Sequence, residues 1–159
     1  MTTLYFAYGS NMLSSRITKR VSSARATGRA VLYDWCVVFN KKSKDGSGKA
    51  NLLYKPGFVT WGGLYEINDN EISKLDRVEK GYSRRTVKVK MENGETVETE
   101  TYISDILIDN PVAFDSYKQM VILGAIEHNL PAEYVQYLQQ LPSKHEKAGY
   151  RLTSVSRGK

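Results

Sequence analysis

The sequence predicts an α+β fold in which strands outnumber helices, and three observations carry that expectation. Aromatic and β-branched residues alternate at Val31, Tyr33, Trp35, Val37 and Phe39, and alternation returns cleanly over 86–91 and 97–103. Apolar residues recur at helical spacing in fewer places, around Leu75 and around Val121. Glycine and proline turns punctuate the segments between them. With 41% hydrophobic and 25% charged residues over 159 positions, the chain has the make-up of one globular domain spanning 1–159, with a polar tail from about 142.

The apolar run Leu4-Tyr5-Phe6-Ala7 makes a first strand, leading into the tight turn Tyr8-Gly9-Ser10-Asn11. Residues 12–20 read as a short helix with Asn11 as N-cap and Leu13 and Ile17 paired at i,i+4. One long or bent strand is expected over 26–40, then a mobile loop over 41–49 containing Gly46 and Gly48. Strands over 50–54 and 59–67 are split by the Lys55-Pro56-Gly57 turn, and Gly62-Gly63 marks a bend or a close backbone approach. Asn68 and Glu71 resemble a capping box, which predicts a helix over 69–80 stopped by Gly81. A hairpin through Glu92-Asn93-Gly94 sets Val89 against Val97 and Lys88 against Glu98. Asn110-Pro111 opens a helix to about His128 with Phe114, Tyr117, Val121 and Gly124 on one stripe, and Pro131 opens another through Leu141.

Composition narrows the function classes. No basic residue precedes Arg16 and the first apolar run is short, so neither a secretory signal nor a membrane partner is expected and a cytoplasmic setting is the default. The single cysteine, Cys36, reads as a buried structural thiol and offers no metal site. The net charge of +6 attracts anions of any kind. Its basic residues fall into separate clusters, Arg16 to Arg29, Lys41 to Lys49 and Arg84 to Lys90, which resemble solvated faces more than a nucleic-acid track. A nucleic-acid-binding barrel is therefore the weaker alternative, supported mainly by the 11 tyrosines.

Two features point to chemistry. In the turn after the first strand, backbone N–H groups of Gly9, Ser10, Asn11 and Met12 converge where an anion or oxyanion can be held without a lysine. The turn lacks the Gly-Lys-Ser/Thr of a phosphate loop and the second glycine of a dinucleotide fingerprint. Ser10 departs from the Gly-x-Ser-x-Gly elbow, and only His128 and His145 are available to it as bases. The second feature is Glu79. With Ile72, Leu75 and Val78 defining the buried helix face, Glu79 points within about 40° of its centre, in a last turn where a carboxylate opposes the helix dipole. A structural role seldom justifies that cost.

Taken together, 6–12, Asn51 to Tyr54, Trp61-Gly62-Gly63-Leu64-Tyr65, Leu75-Asp76-Arg77-Val78-Glu79, Tyr82-Ser83-Arg84-Arg85, Tyr117, Gly124-Ala125 and 130–134 resemble the γ-glutamylcyclotransferase family, in order over residues 4–141. The resemblance implies a small mixed, largely antiparallel β-barrel with surrounding helices and a cavity between the glycine turn and the glutamate. It also implies conversion of a γ-glutamyl amide to 5-oxoproline and a free amine, without metal or cofactor. Glu79 is then the catalytic acid/base, and Tyr8, Gly9, Ser10, Asn11, Met12, Tyr82 and Tyr117 bind a small-molecule γ-glutamyl substrate. The substrate brings its own nucleophile, its α-amine, so one base suffices. Family members differ in the leaving group, and the basic loop 41–49 favours one bearing a carboxylate. Oligomeric state is not read from the sequence, and a non-catalytic ligand-binding barrel is the remaining alternative.

Overall fold

A computed structural model describes residues 1–146; the expected polar tail lies outside the described residues beyond that point. Five strands close into a barrel in the order β1-β3-β2-β4-β5: β1 Thr2–Ala7, β2 Arg25–Lys42, β3 Gly48–Asn68, β4 Ser83–Met91 and β5 Thr96–Ile103. Neighbours are antiparallel except β1 and β5, whose parallel pairing at Tyr5 and Glu100 closes the barrel. The expected mixed, largely antiparallel barrel is thus observed. Phe6, Val37, Phe39, Leu64, Tyr65 and Ile67 fill the core, each at most 1–2% exposed. Around the barrel lie α1 Ser14–Arg20, α2 Ile72–Val78, α3 Asp115–Glu127 and α4 Ala132–Gln140, with a small parallel pair, β6 Ala113–Phe114 and β7 Ser143–Lys144. Among the described residues no helix is long and apolar enough to cross a membrane.

Several boundaries depart from the sequence reading, each for a physical reason. The two strands expected over 50–67 are one, because Lys55-Pro56-Gly57 is absorbed as a bulge opposite Asp34. Gly57 (φ +89°) donates its N–H to Asp34 Oδ1 at 3.1 Å, and Asp34 itself sits at φ +72°. The loop expected over 41–49 is a pinned hairpin turn. Lys41 and Lys42 pair with Lys49 and Gly48, and Asp45 accepts from the Ser47 N–H at 2.9 Å and from the Ser47 hydroxyl.

The helix expected over 69–80 is shorter at both ends, because β3 runs on through Asn68 and Glu71 is spent elsewhere. The Glu71 carboxylate accepts from the Ser23 N–H at 2.9 Å and forms no capping box. The helix expected from Asn110-Pro111 begins only at Asp115, since β6 holds Ala113 and Phe114 extended against β7. The 86–103 hairpin is as expected: Val89 faces Val97, Lys88 faces Glu98, and Gly94 takes φ +88°.

The Gly62-Gly63 pair is a close approach. A Cβ on Gly63 would lie 2.5 Å from the His128 ring, and one on Gly62 would lie 2.4 Å from the Ala7 carbonyl oxygen. His128, capping the C-terminus of α3, donates from Nε2 to the Met12 carbonyl at 2.7 Å, and Tyr65 donates to the same oxygen at 2.9 Å. Gly124 lets α3 press onto the turn, since a Cβ there would meet Met12 Cβ at 2.6 Å. The turn after β1 is therefore locked from behind by barrel and helix together.

Candidate active site

The turn after β1 is a short 3-10 element, Ser10–Met12, in which the Met12 N–H closes on the Gly9 carbonyl at 3.1 Å. A turn of this kind leaves the N–H groups of Gly9, Ser10 and Asn11 without an intrahelical partner. All three residues line a cavity of about 320 Å³. Tyr8, Glu79, Tyr82 and Tyr117 line it too, so the structure brings together every expected site residue except Met12. Met12 is fully buried and holds the turn from behind, its N–H and carbonyl both engaged.

Glu79 reaches the cavity by a route that differs from helical phase. It is the C-cap of α2, at φ −85° and ψ 60°, with its N–H on the Leu75 carbonyl at 2.9 Å. Val78, expected in the core, is 41% exposed, and Glu79 occupies the inward direction instead, with a side chain 16% exposed. Gly81 at φ +84° then turns the chain toward β4.

Around the carboxylate the hydrogen bonds are directed. Asn11, expected as a helix cap, makes no capping bond; its Nδ2 donates to Glu79 Oε1 at 2.8 Å and to the Tyr5 hydroxyl at 3.0 Å. The amide is oriented by Arg20, whose guanidinium donates to Asn11 Oδ1 at 3.1 Å and stands 3.7 Å from Glu79 Oε2. Burial raises the Glu79 pKa above its ordinary 4.5, with Arg20, Arg16, the Asn11 bond and Lys41 opposing that rise. Burial wins, and a carboxyl group perturbed in this way is characteristic of functional sites.

The tyrosines are neutral hydrogen-bonding groups. Burial pushes the Tyr8, Tyr82 and Tyr117 phenols above their usual range, Glu79 adding to each. Tyr8 donates to the Tyr102 carbonyl and Tyr82 donates to the Ala50 carbonyl at 2.6 Å, so both protons are committed. Tyr117 accepts from the Ala50 N–H at 3.1 Å, which leaves its own proton to give. The Ser10 hydroxyl accepts from Arg16 Nε at 2.9 Å. Neither histidine serves it: His128 is engaged with Met12 and Tyr65, and His145 stands at the surface beside Asp115. Among the described residues no group of His, Cys, Asp or Glu side chains forms a metal-ligand cluster.

Sequence reasoning missed Tyr5, Arg16, Arg20 and Lys41 as cavity residues. The first two basic clusters, separate along the chain, meet around one cavity once the barrel closes. Spacing along the chain carries no signal for that meeting.

A family model described as the AIG2-like family matches residues 59–138. A γ-glutamylcyclotransferase of Homo sapiens is 33% identical over 147 residues, covering 87% of this chain and 78% of that one. The chain belongs to the γ-glutamylcyclotransferase family. A Bos taurus γ-glutamylcyclotransferase is similar to the same degree, 33% over 147 residues with the same coverage. A solved structure of a γ-glutamyl cyclotransferase superposes with a TM-score of 0.85 at 30% identity, over 93% of this chain and 92% of that chain. The chain is accordingly an enzyme of that family.

Proposed function

We propose that this enzyme converts a γ-glutamyl amide to 5-oxoproline and a free amine, with Glu79 as general acid and base. One observation carries the reading: the Glu79 carboxylate, 16% exposed, is held 2.8 Å from the Asn11 amide, beside N–H groups of the same turn that have no intrahelical partner. A proton acceptor and an anion cradle thus share one cavity.

The steps follow from that placement. Glu79 takes a proton from the substrate α-ammonium, and the freed amine nitrogen attacks the γ-carbonyl carbon. The new C–N bond closes a five-membered ring within one molecule, so the reaction gains the advantage of enforced proximity. N–H groups of Gly9, Ser10 and Asn11 receive the negative charge of the glutamyl end, as carboxylate or as developing oxyanion, and Tyr117 supplies a further donor. Collapse breaks the original amide C–N bond, and Glu79 returns its proton to the departing nitrogen. The second proton of the attacking nitrogen also passes through Glu79 to the departing nitrogen, so protons balance and 5-oxoproline leaves with one ammonium.

Cys36, its Sγ 3.0 Å from the Tyr137 hydroxyl and buried, is a structural thiol in keeping with a reducing, cytoplasmic setting. The test is incubation with γ-glutamyl amino acids, γ-glutamyl amines and glutathione, with mass detection of products. Equal amounts of 5-oxoproline and amine from at least one substrate are expected. Free glutamate in place of 5-oxoproline would mean hydrolysis and would refute the ring closure.

A further inference from the structure

His128 does not line the cavity, but it holds the turn that does. Its ring lies against the bare backbone of Gly63, where any Cβ would come within 2.5 Å, and meets the Tyr65 ring edge-on at 5.3 Å. Both side chains converge on one acceptor: His128 Nε2 is 2.7 Å and the Tyr65 hydroxyl 2.9 Å from the Met12 carbonyl oxygen. The last turn of α3 makes two further contacts with this segment. Glu127 accepts from the Ser14 N–H at 3.1 Å, and Gly124 admits Met12 and Leu13 against the helix. From the barrel, Arg29 donates to the Asn129 carbonyl, with Asn129 at φ +57°, so the end of α3 is itself fixed on β2.

We infer that His128 and Tyr65 are a positioning pair: by holding the Met12 carbonyl they set where the N–H groups of residues 9–11 and the Asn11 amide stand relative to Glu79. The inference rests on the cyclotransferase reading and adds to it two residues outside the cavity.

The path from the pair to the chemistry is short. The Met12 N–H closes on the Gly9 carbonyl at 3.1 Å, so the carbonyl held from behind and the cradle facing the cavity belong to one three-residue element. Asn11, in its middle, reaches Glu79 Oε1 at 2.8 Å. A shift of the Met12 carbonyl therefore moves the anion cradle and the hydrogen-bond donor of the base together, and ring closure needs both in place.

The test is His128→Phe in the full chain, which keeps an aromatic ring on Gly63 and removes the N–H donor. With a γ-glutamyl amino acid as substrate, kcat is expected to fall about 10-fold, as for one lost hydrogen bond, with KM changed by less than about 3-fold. His128→Gln, which retains an Nε2–H donor, is expected to recover kcat to within about 3-fold of the unaltered enzyme. Arg29→Met is the control for stability: it loosens the same end of α3, lowers Tm and leaves kcat unchanged. Hydrogen exchange read by mass spectrometry follows the turn without substrate. Peptides spanning residues 9–13 are expected to exchange at least about 5-fold faster in His128→Phe and at the unaltered rate in Arg29→Met. Should His128→Phe not fold, Tyr65→Phe, which removes the other donor at nearly the same volume, is judged by the same criteria. A kcat within about 3-fold of the unaltered enzyme in the folded variant, a loss in KM alone, no recovery by His128→Gln, or an equal kcat loss in Arg29→Met overturns the pair. Absence of 5-oxoproline from the unaltered enzyme overturns the ring-closure reading instead, and unchanged exchange over residues 9–13 then overturns the pair as well.

Discussion

At the floor of the cavity Glu79 is 16% exposed, and the groups around it are mutually engaged: Asn11 bonds both Glu79 and Tyr5, Arg20 fixes Asn11, and Tyr82 is tied to Ala50. At the rim, Lys41 and Lys44 come from a hairpin turn and, among the described residues, form no ion pair with a carboxylate. The floor holds the Glu79 carboxylate by a directed hydrogen bond and a neighbouring guanidinium, where a small displacement is costly. On the proposed mechanism, changes at the floor are expected to act on kcat more than changes at the rim.

The sharpest way to break that contrast at the floor, short of removing Glu79, is Asn11→Leu. It strips the carboxylate of its neutral donor and leaves the Arg20 guanidinium without its amide partner. A fall of about 100-fold in kcat with a folded protein is expected from loss of a hydrogen bond to a charged group; a change confined to KM would place Asn11 with the rim. Next is Gly9→Ala. Its Cβ would sit 2.9 Å from Ala50 Cβ and 3.4 Å from the Tyr117 hydroxyl, so the backbone or Tyr117 must shift. About 10-fold lower kcat is expected in steady-state assays, and unaltered kinetics would show that the cradle tolerates movement.

A stability measurement sharpens the same comparison. Because burial raises the folded-state pKa of Glu79 above 4.5, its protonated form contributes stability that is fully present below 4.5 and is lost as pH rises through the raised value. Glu79→Gln, which stays neutral, is therefore expected to melt above the unaltered protein at neutral pH and to lose that advantage on acidification below 4.5. A Tm difference independent of pH would contradict the assigned direction. The smallest effect is expected from Ser10→Ala, no more than about 5-fold in kcat/KM, since its hydroxyl contacts with Arg16 and Tyr117 are removed but the turn's N–H groups remain. Complete loss would give the hydroxyl a direct role.

How much of this was legible in the sequence depends on range. Gly94 and the Val89–Val97 register were readable because a hairpin is local, and the Gly62-Gly63 pair announced a close approach without naming His128 as the neighbour. Helical phase singles out Glu79, yet its direction comes from the C-cap backbone, so Val78, expected in the core, turns outward. Asn11 looked like an N-cap because caps are local and common, whereas its true partners lie on β1, α1 and α2. The lysine rim was seen as a charged loop, but its seating on Tyr82 and Tyr117 exists only in the closed barrel. Pairings set by barrel closure leave no period in the chain to detect.

The central claim is that Glu79 moves the proton that ring closure requires. The most direct measurement is 5-oxoproline release by Glu79→Gln at saturating γ-glutamyl substrate, beside the unaltered enzyme and with substrate binding followed by calorimetry. The account predicts retained binding and a fall in release of at least about 100-fold. Release within a few-fold of the unaltered enzyme would contradict it.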